Sequence, residues 1–174
     1  MTCRCSSWSE GFDLSFPSDL AAMVSKGSKS SSLSSRAPSA ESSTVHVERT
    51  LERGWRAVVQ AGGAERLEAI DTLLWTWKEE SFLAHGTSRD GNAEHQPVYL
   101  TVDETNPNGA AVRFLVDGAS LERFDGYLRV VILFDGHDGT AIATARRQWT
   151  YVKAAGLSAT YWQETSSGRW EKRA

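Results

Sequence analysis

The sequence predicts an α/β domain of three layers, with helices on both faces of a mainly parallel sheet. Three observations carry that prediction. Helical and extended patterns follow one another in the order helix, strand, helix, strands, helix, strand. Residues 130–134 are uninterruptedly apolar, the pattern of a strand covered on both faces. Near the C-terminus, Ile142, Ala145, Trp149 and Val152 form an apolar stripe at helical spacing, flanked by Arg146, Arg147, Thr150 and Lys153.

Taken in order, a short helix is expected over 44–53: Thr44 is a suitable N-cap, Val47 and Leu51 share a face, and Gly54 stops it. Residues 55–60 read as a buried strand. Leu67, Ile70 and Leu74 then follow the three-to-four spacing of an amphipathic helix over 63–75, with Glu65, Arg66 and Glu68 outside. Strands are expected at 98–102, 112–116 and 130–134, with room only for a short helix at 120–124. The last helix runs over 140–155, between Asp138 or Gly139 as cap and Gly156 as C′ residue. A strand over 157–163, a turn at Ser166, Ser167 and Gly168, and a basic end over 169–173 complete the chain.

The 174 residues are 40% hydrophobic and 24% charged, which suits about one domain. No apolar run approaches the roughly 20 residues of a membrane span. Fifteen serines fall before residue 44. So few aliphatic side chains accompany them that residues 1–43 are expected to be disordered or aberrant, and the domain to occupy 44–174. The net charge of −3 gives no global attraction to nucleic acid, so strong direct binding is not expected. The charge is nevertheless polarised: 141–174 carries six basic and two acidic residues. That end either receives an acidic partner or is simply a solvated helix face. Only Cys3 and Cys5 carry thiols, and acidic residues interrupt any apolar leader, so a reducing cytoplasm is the expected location.

Chemical sites are sparse. Gly62-Gly63 between a strand and a helix is where phosphate-binding turns occur, but the G-x-G-x-x-G spacing is missing and a plain turn serves as well. Asp135, His137 and Asp138 sit where α/β enzymes place catalytic groups; they also suit turn and capping roles. A small enzyme using a nucleotide or metal at Gly62-Gly63 and Asp135–Asp138 is therefore the alternative reading. No nucleophile elbow is present, and His85 and His95 read as surface loop residues rather than ligands. Trp55, Trp75, Trp77, Trp149, Trp162 and Trp170 stand out instead, as core or interface residues.

Several segments in order resemble the chi subunit of bacterial DNA polymerase III: Leu74-Trp75, the S-F-x-x-H element at Ser81, Phe82 and His85, Gln96-Pro97-Val98, Asn106-Pro107-Asn108, the run from Val130 to Gly136, and 143–156. The likeness covers roughly 48–172. It implies a Rossmann-like fold with no catalytic activity, cofactor or metal, inside the DNA-directed DNA polymerase assembly. It also implies two partners, the psi subunit of the clamp loader and the acidic C-terminal tail of single-stranded DNA-binding protein. The tail surface would fall on Trp75, Arg146, Trp149, Thr150 and Lys153, and the psi side on Phe82. Thr150 departs from the family, where lysine is common. The family's first strand would fall near 29–36, a serine-rich stretch here, so that strand is expected to be missing and its neighbours' edges exposed.

Overall fold

The computed structural model describes residues 21–26, 38–77, 82–124, 126–164 and 170–172. Among these, eight strands form one sheet: β1 (Ala21–Lys26), β2 (Ala57–Ala61), β3 (His85–Gly86), β4 (Val98–Thr101), β5 (Val112–Val116), β6 (Arg129–Asp135), β7 (Ala159–Glu164) and β8 (Trp170–Lys172). Their order is β3-β4-β2-β5-β6-β1-β7-β8. Every neighbouring pair is parallel except β7 with β8. Three helices join them: α1 (Pro38–Glu52), α2 (Ala64–Trp75) and α3 (Gly139–Ala154).

Strand alternation sorts the core into two faces. Val112, Phe114 and Val116 of β5, with Val131 and Leu133 of β6, pack with Val47 of α1 and Ile70, Leu73 and Leu74 of α2. Leu115, Val130 and Ile132 point the other way and pack with Ala145 and Val152 of α3. The sheet thus lies between α1 and α2 on one side and α3 on the other, the expected three-layer arrangement. Fully burying one such Leu or Ile contributes about 1.5–3 kcal/mol, so these two clusters hold the layers together.

The expected missing strand is present. It comes from 21–26, upstream of the 29–36 stretch, and pairs in parallel with β6 (Met23 beside Ile132) and with β7 (Met23 beside Tyr161). The reason is backbone pairing: without β1 the facing edges of β6 and β7 would each leave a row of amides and carbonyls without strand partners. The first helix also begins earlier than the expected residue 44. Helix α1 starts at Pro38, and proline suits a first turn that has no amide partner to lose. Thr44, expected as the cap, lies inside that helix and is buried with Ser43. Gly54 ends it with φ +72°, as its glycine predicted.

The expected short helix at 120–124 does not form. Groups from other elements hold that stretch over the α3 face: Gln148 Nε2 donates to the Ala119 carbonyl at 3.1 Å, Gln60 Nε2 donates to the Ser120 carbonyl at 3.1 Å, and Glu104 Oε1 accepts from the Glu122 amide at 2.9 Å. Leu121 and Phe124 are buried beneath it. The turn at 166–168 lies outside the described residues. Part of the expected basic end is instead the antiparallel edge strand β8.

Two side-chain clamps shape the connections. Arg113, the buried second residue of β5, donates from Nη1 to the Glu104 carbonyl at 3.0 Å and Tyr127 Oη at 2.7 Å, and from Nη2 to the Asp103 and Thr105 carbonyls at 2.9 and 3.0 Å. It seals the segment after β4 against the sheet. Asn108 Nδ2 donates to the carbonyls of Ala57 and Gln96, at 3.1 and 2.9 Å, tying the Asn-Pro-Asn element to the start of β2. That element is a structural fastener.

Candidate protein-docking surfaces

Helix α3 is fixed at both ends. Asp138 Oδ1 accepts the Thr140 amide at 2.8 Å as N-cap. At the other end Gly156 has φ +74°, its amide reaches the Lys153 carbonyl, and the Leu157 amide reaches that of Val152. This double closure leaves few helix carbonyls unsatisfied and packs Leu157 on the same cluster as Val152. Ala145, Gln148 and Val152 are the buried positions. Gln148 replaces part of the apolar stripe expected there, because the Ala119 carbonyl needs a donor beneath the helix.

On the outer side lie Arg146, Trp149, Thr150 and Lys153, which the 3.6-residue period places on one stripe. Trp149 is half-buried and rests on the α3-side core. The Lys153 ammonium stands 5.1 Å from the Trp149 ring centre and donates to the Ala159 carbonyl at 3.4 Å. Thr150 bonds its hydroxyl back to the Arg146 carbonyl at 3.0 Å. Arg146 is exposed, and its guanidinium makes no hydrogen bond or ion pair with the described residues. Arg147 reaches Thr144 Oγ1 at 3.2 Å. The helix carries these three cations and no acidic residue, so an anionic segment meets no repulsion from α3 itself.

Trp75 is not on this stripe. It ends α2, across the sheet from α3, and its ring lies 5.5 Å from Phe82 and 4.9 Å from His85. Trp75 is 60% exposed and Phe82 72%, an aromatic pair facing outward from the β3 edge of the sheet. Beneath it His85 is buried in β3, which corrects the expectation of a surface loop residue. Its Nδ1 lies 2.6 Å from the Leu83 carbonyl and its Nε2 lies 3.3 Å from Asp71 Oδ1 without hydrogen-bond alignment. The predicted site residues therefore fall into two groups on opposite faces: Arg146, Trp149, Thr150 and Lys153, and separately Trp75 with Phe82. Four strands, β3 to β6, intervene along the chain between α2 and α3, so spacing carried no signal of this separation.

The residues considered for nucleotide or metal chemistry have other work. A side chain at Gly62 would collide with the Asp117 carbonyl, so the turn after β2 is packed against an acceptor rather than opened for phosphate. Asp135 Oδ1 accepts the His137 amide at 2.9 Å, and Asp138 is the α3 cap. Among the described residues no group of three His, Cys, Asp or Glu side chains is placed to hold a metal ion. No helix among them is long and apolar enough to cross a membrane.

Residues 33–160 match the family model described as DNA polymerase III chi subunit, HolC. A protein of Rickettsia prowazekii (strain Madrid E), named as a probable DNA polymerase III subunit chi, is 26% identical over 87 residues. That alignment spans 48% of this chain and 53% of the relative, about half of each.

Proposed function

Since the chain belongs to the DNA polymerase III chi subunit family, we propose that it is an accessory subunit of that polymerase in DNA replication, with no catalytic centre of its own. It links the clamp loader to single-stranded DNA-binding protein by taking up that protein's acidic C-terminal tail along α3. The observation that carries this reading is the Arg146–Trp149–Lys153 stripe on a helix without acidic residues. A tail ending in Asp and Phe needs cations for its carboxylates and an aromatic surface for its ring, and the stripe offers both. The Trp75–Phe82 pair on the opposite face is the surface for the psi subunit or its equivalent. Two separate surfaces are what a linker between two proteins requires. With a net charge of −3, recruitment to DNA runs through the coating protein rather than through bare strands.

Isothermal titration of the full chain with a peptide ending in Asp-Phe tests the reading. One-to-one binding that weakens as salt is raised is expected. No binding, together with a thermal shift on adding a nucleotide or a divalent cation, would replace the linker with the enzyme reading.

A further inference from the structure

Both halves of the Trp75–Phe82 surface are fastened at one imidazole. The side chain of His85 is 1% exposed and lies on the α2 face of the sheet, since its β4 neighbour Val98 packs in the α2-side core. Along α2, Asp71 and Trp75 are four residues apart and share a helix face. The His85 ring meets that face at two points: Nε2 is 3.3 Å from Asp71 Oδ1, and the ring centre is 4.9 Å from that of Trp75 at an interplanar angle of 60°. Its Nδ1 is 2.6 Å from the carbonyl of Leu83, the residue that follows Phe82.

These neighbours bear on the protons of the ring. A carbonyl oxygen only accepts, so Nδ1 must donate to Leu83. In a neutral imidazole Nε2 would then turn a lone pair toward the Asp71 carboxylate, acceptor against acceptor, at a buried atom with no hydrogen-bond partner of its own. The imidazolium suits both neighbours and stands within cation range of the indole. The other described charges nearby do not oppose it. Glu68 of α2 engages Arg89 at 3.2 Å, and Asp90, in the turn after β3, accepts the Thr87 amide and hydroxyl at 2.7 and 2.8 Å. Those two bonds hold the Asp90 carboxyl below the usual carboxylate range, and the charges of His85 and then Arg89 add to the effect. From β4 the facing residue is the apolar Val98.

We propose that His85, protonated on both ring nitrogens, is the positioning residue of this docking surface, bridging the Leu83 carbonyl to Asp71 so that docking at Trp75 and Phe82 strengthens as the pH falls from about 8 to about 6. It rests on the reading of that pair as the surface for the psi subunit or its equivalent, and adds what holds the two rings in place. The sign follows from the bridge. With the Nε2 proton gone, the fastening to α2 is lost; with it present, Asp71 accepts, and carboxylates stay ionised across this range.

Nuclear magnetic resonance of the isotope-labelled full chain reads each histidine and indole separately. Both His85 nitrogens are expected to carry protons at about pH 6, and loss of the Nε2 proton toward about pH 8 should move the Trp75 indole signal with the same midpoint. His46, pushed down to about 4, does not titrate in this window, and the exposed His95 and His137 give their own signals. An unprotonated Nδ1 at the lower pH, or a Trp75 signal indifferent to His85, overturns the proposal. Affinity for the purified psi subunit is expected to be roughly 5-fold higher at the lower pH, the low end of coupling between linked sites, and His85→Gln should abolish that difference. Equal affinity at both pH values overturns the positioning role and leaves the docking reading standing. No binding at either pH overturns both. If His85→Gln does not fold, Asp71→Asn removes the charge that Nε2 meets and should shrink the same difference; an undiminished difference overturns the proposal.

Discussion

Lys153 covers the Trp149 ring, its ammonium 5.1 Å from the ring centre, while its hydrogen bond to Ala159 ties the end of α3 to β7. The cation is thus placed before any ligand arrives. The indole has two roles, since it supports the core below and presents a face above. Trp149→Ala should lower stability by about 2–3 kcal/mol, less than a fully buried tryptophan, and also weaken tail-peptide binding. Lys153→Ala should cost no more than about 1 kcal/mol of stability and reduce mainly the affinity. Thermal melts paired with titrations separate the two effects.

The Arg146 guanidinium holds no other described residue, so its removal should act on binding alone. A charge-assisted hydrogen bond contributes about 1.5–3 kcal/mol, so Arg146→Ala is expected to weaken the tail peptide by roughly 10- to 150-fold at an unchanged melting temperature. Thr150→Lys adds a cation to the same stripe and should strengthen binding modestly with a steeper salt dependence. An Arg146→Ala protein with unaltered affinity would place the tail elsewhere.

Trp75 and Phe82 lie across the sheet from that stripe. Substitutions at distant sites without shared partners act independently, so Trp75→Ala and Phe82→Ala should change tail-peptide affinity by no more than about two-fold. Capture of the psi subunit or its equivalent by the full chain should be lost. Loss of peptide binding in Trp75→Ala would show that the two faces are coupled.

His46 on α1 stacks against Phe114 at 6.5 Å, and its pKa is pushed down to about 4 by burial, with Arg49 and then Arg129 adding repulsion. The unfolded chain takes up this proton near pH 6.5, whereas the folded chain resists it until about pH 4. Its contribution to stability is therefore full above pH 6.5 and is lost as the pH falls through that window, with a slope of at most about 1.4 kcal/mol per pH unit. His46→Phe should flatten the pH dependence of the melting temperature between those values. An unchanged profile would assign the window to other groups.

The sequence by itself determined what depends on neighbours along the chain. The α2 and α3 stripes, the stops at Gly54 and Gly156 and the run in β6 are local patterns of period and capping, and each produced its element. The cationic stripe on α3 was legible for the same reason, since four positions three to four residues apart must share a helix face. Only the tertiary structure decided what depends on partners far along the chain. Ala21–Lys26 carries a weak extended signal, and it becomes a strand because β6 and β7 leave a place for one between them. Residues 120–124 lose their helix to the amides of Gln60 and Gln148, which come from other elements. His85 is buried because a two-residue strand pairs with β4. Trp75 joins Phe82 rather than Trp149 because the sheet separates α2 from α3. Periodicity reports which side of an element is apolar; the crossovers decide which face of the sheet that side meets.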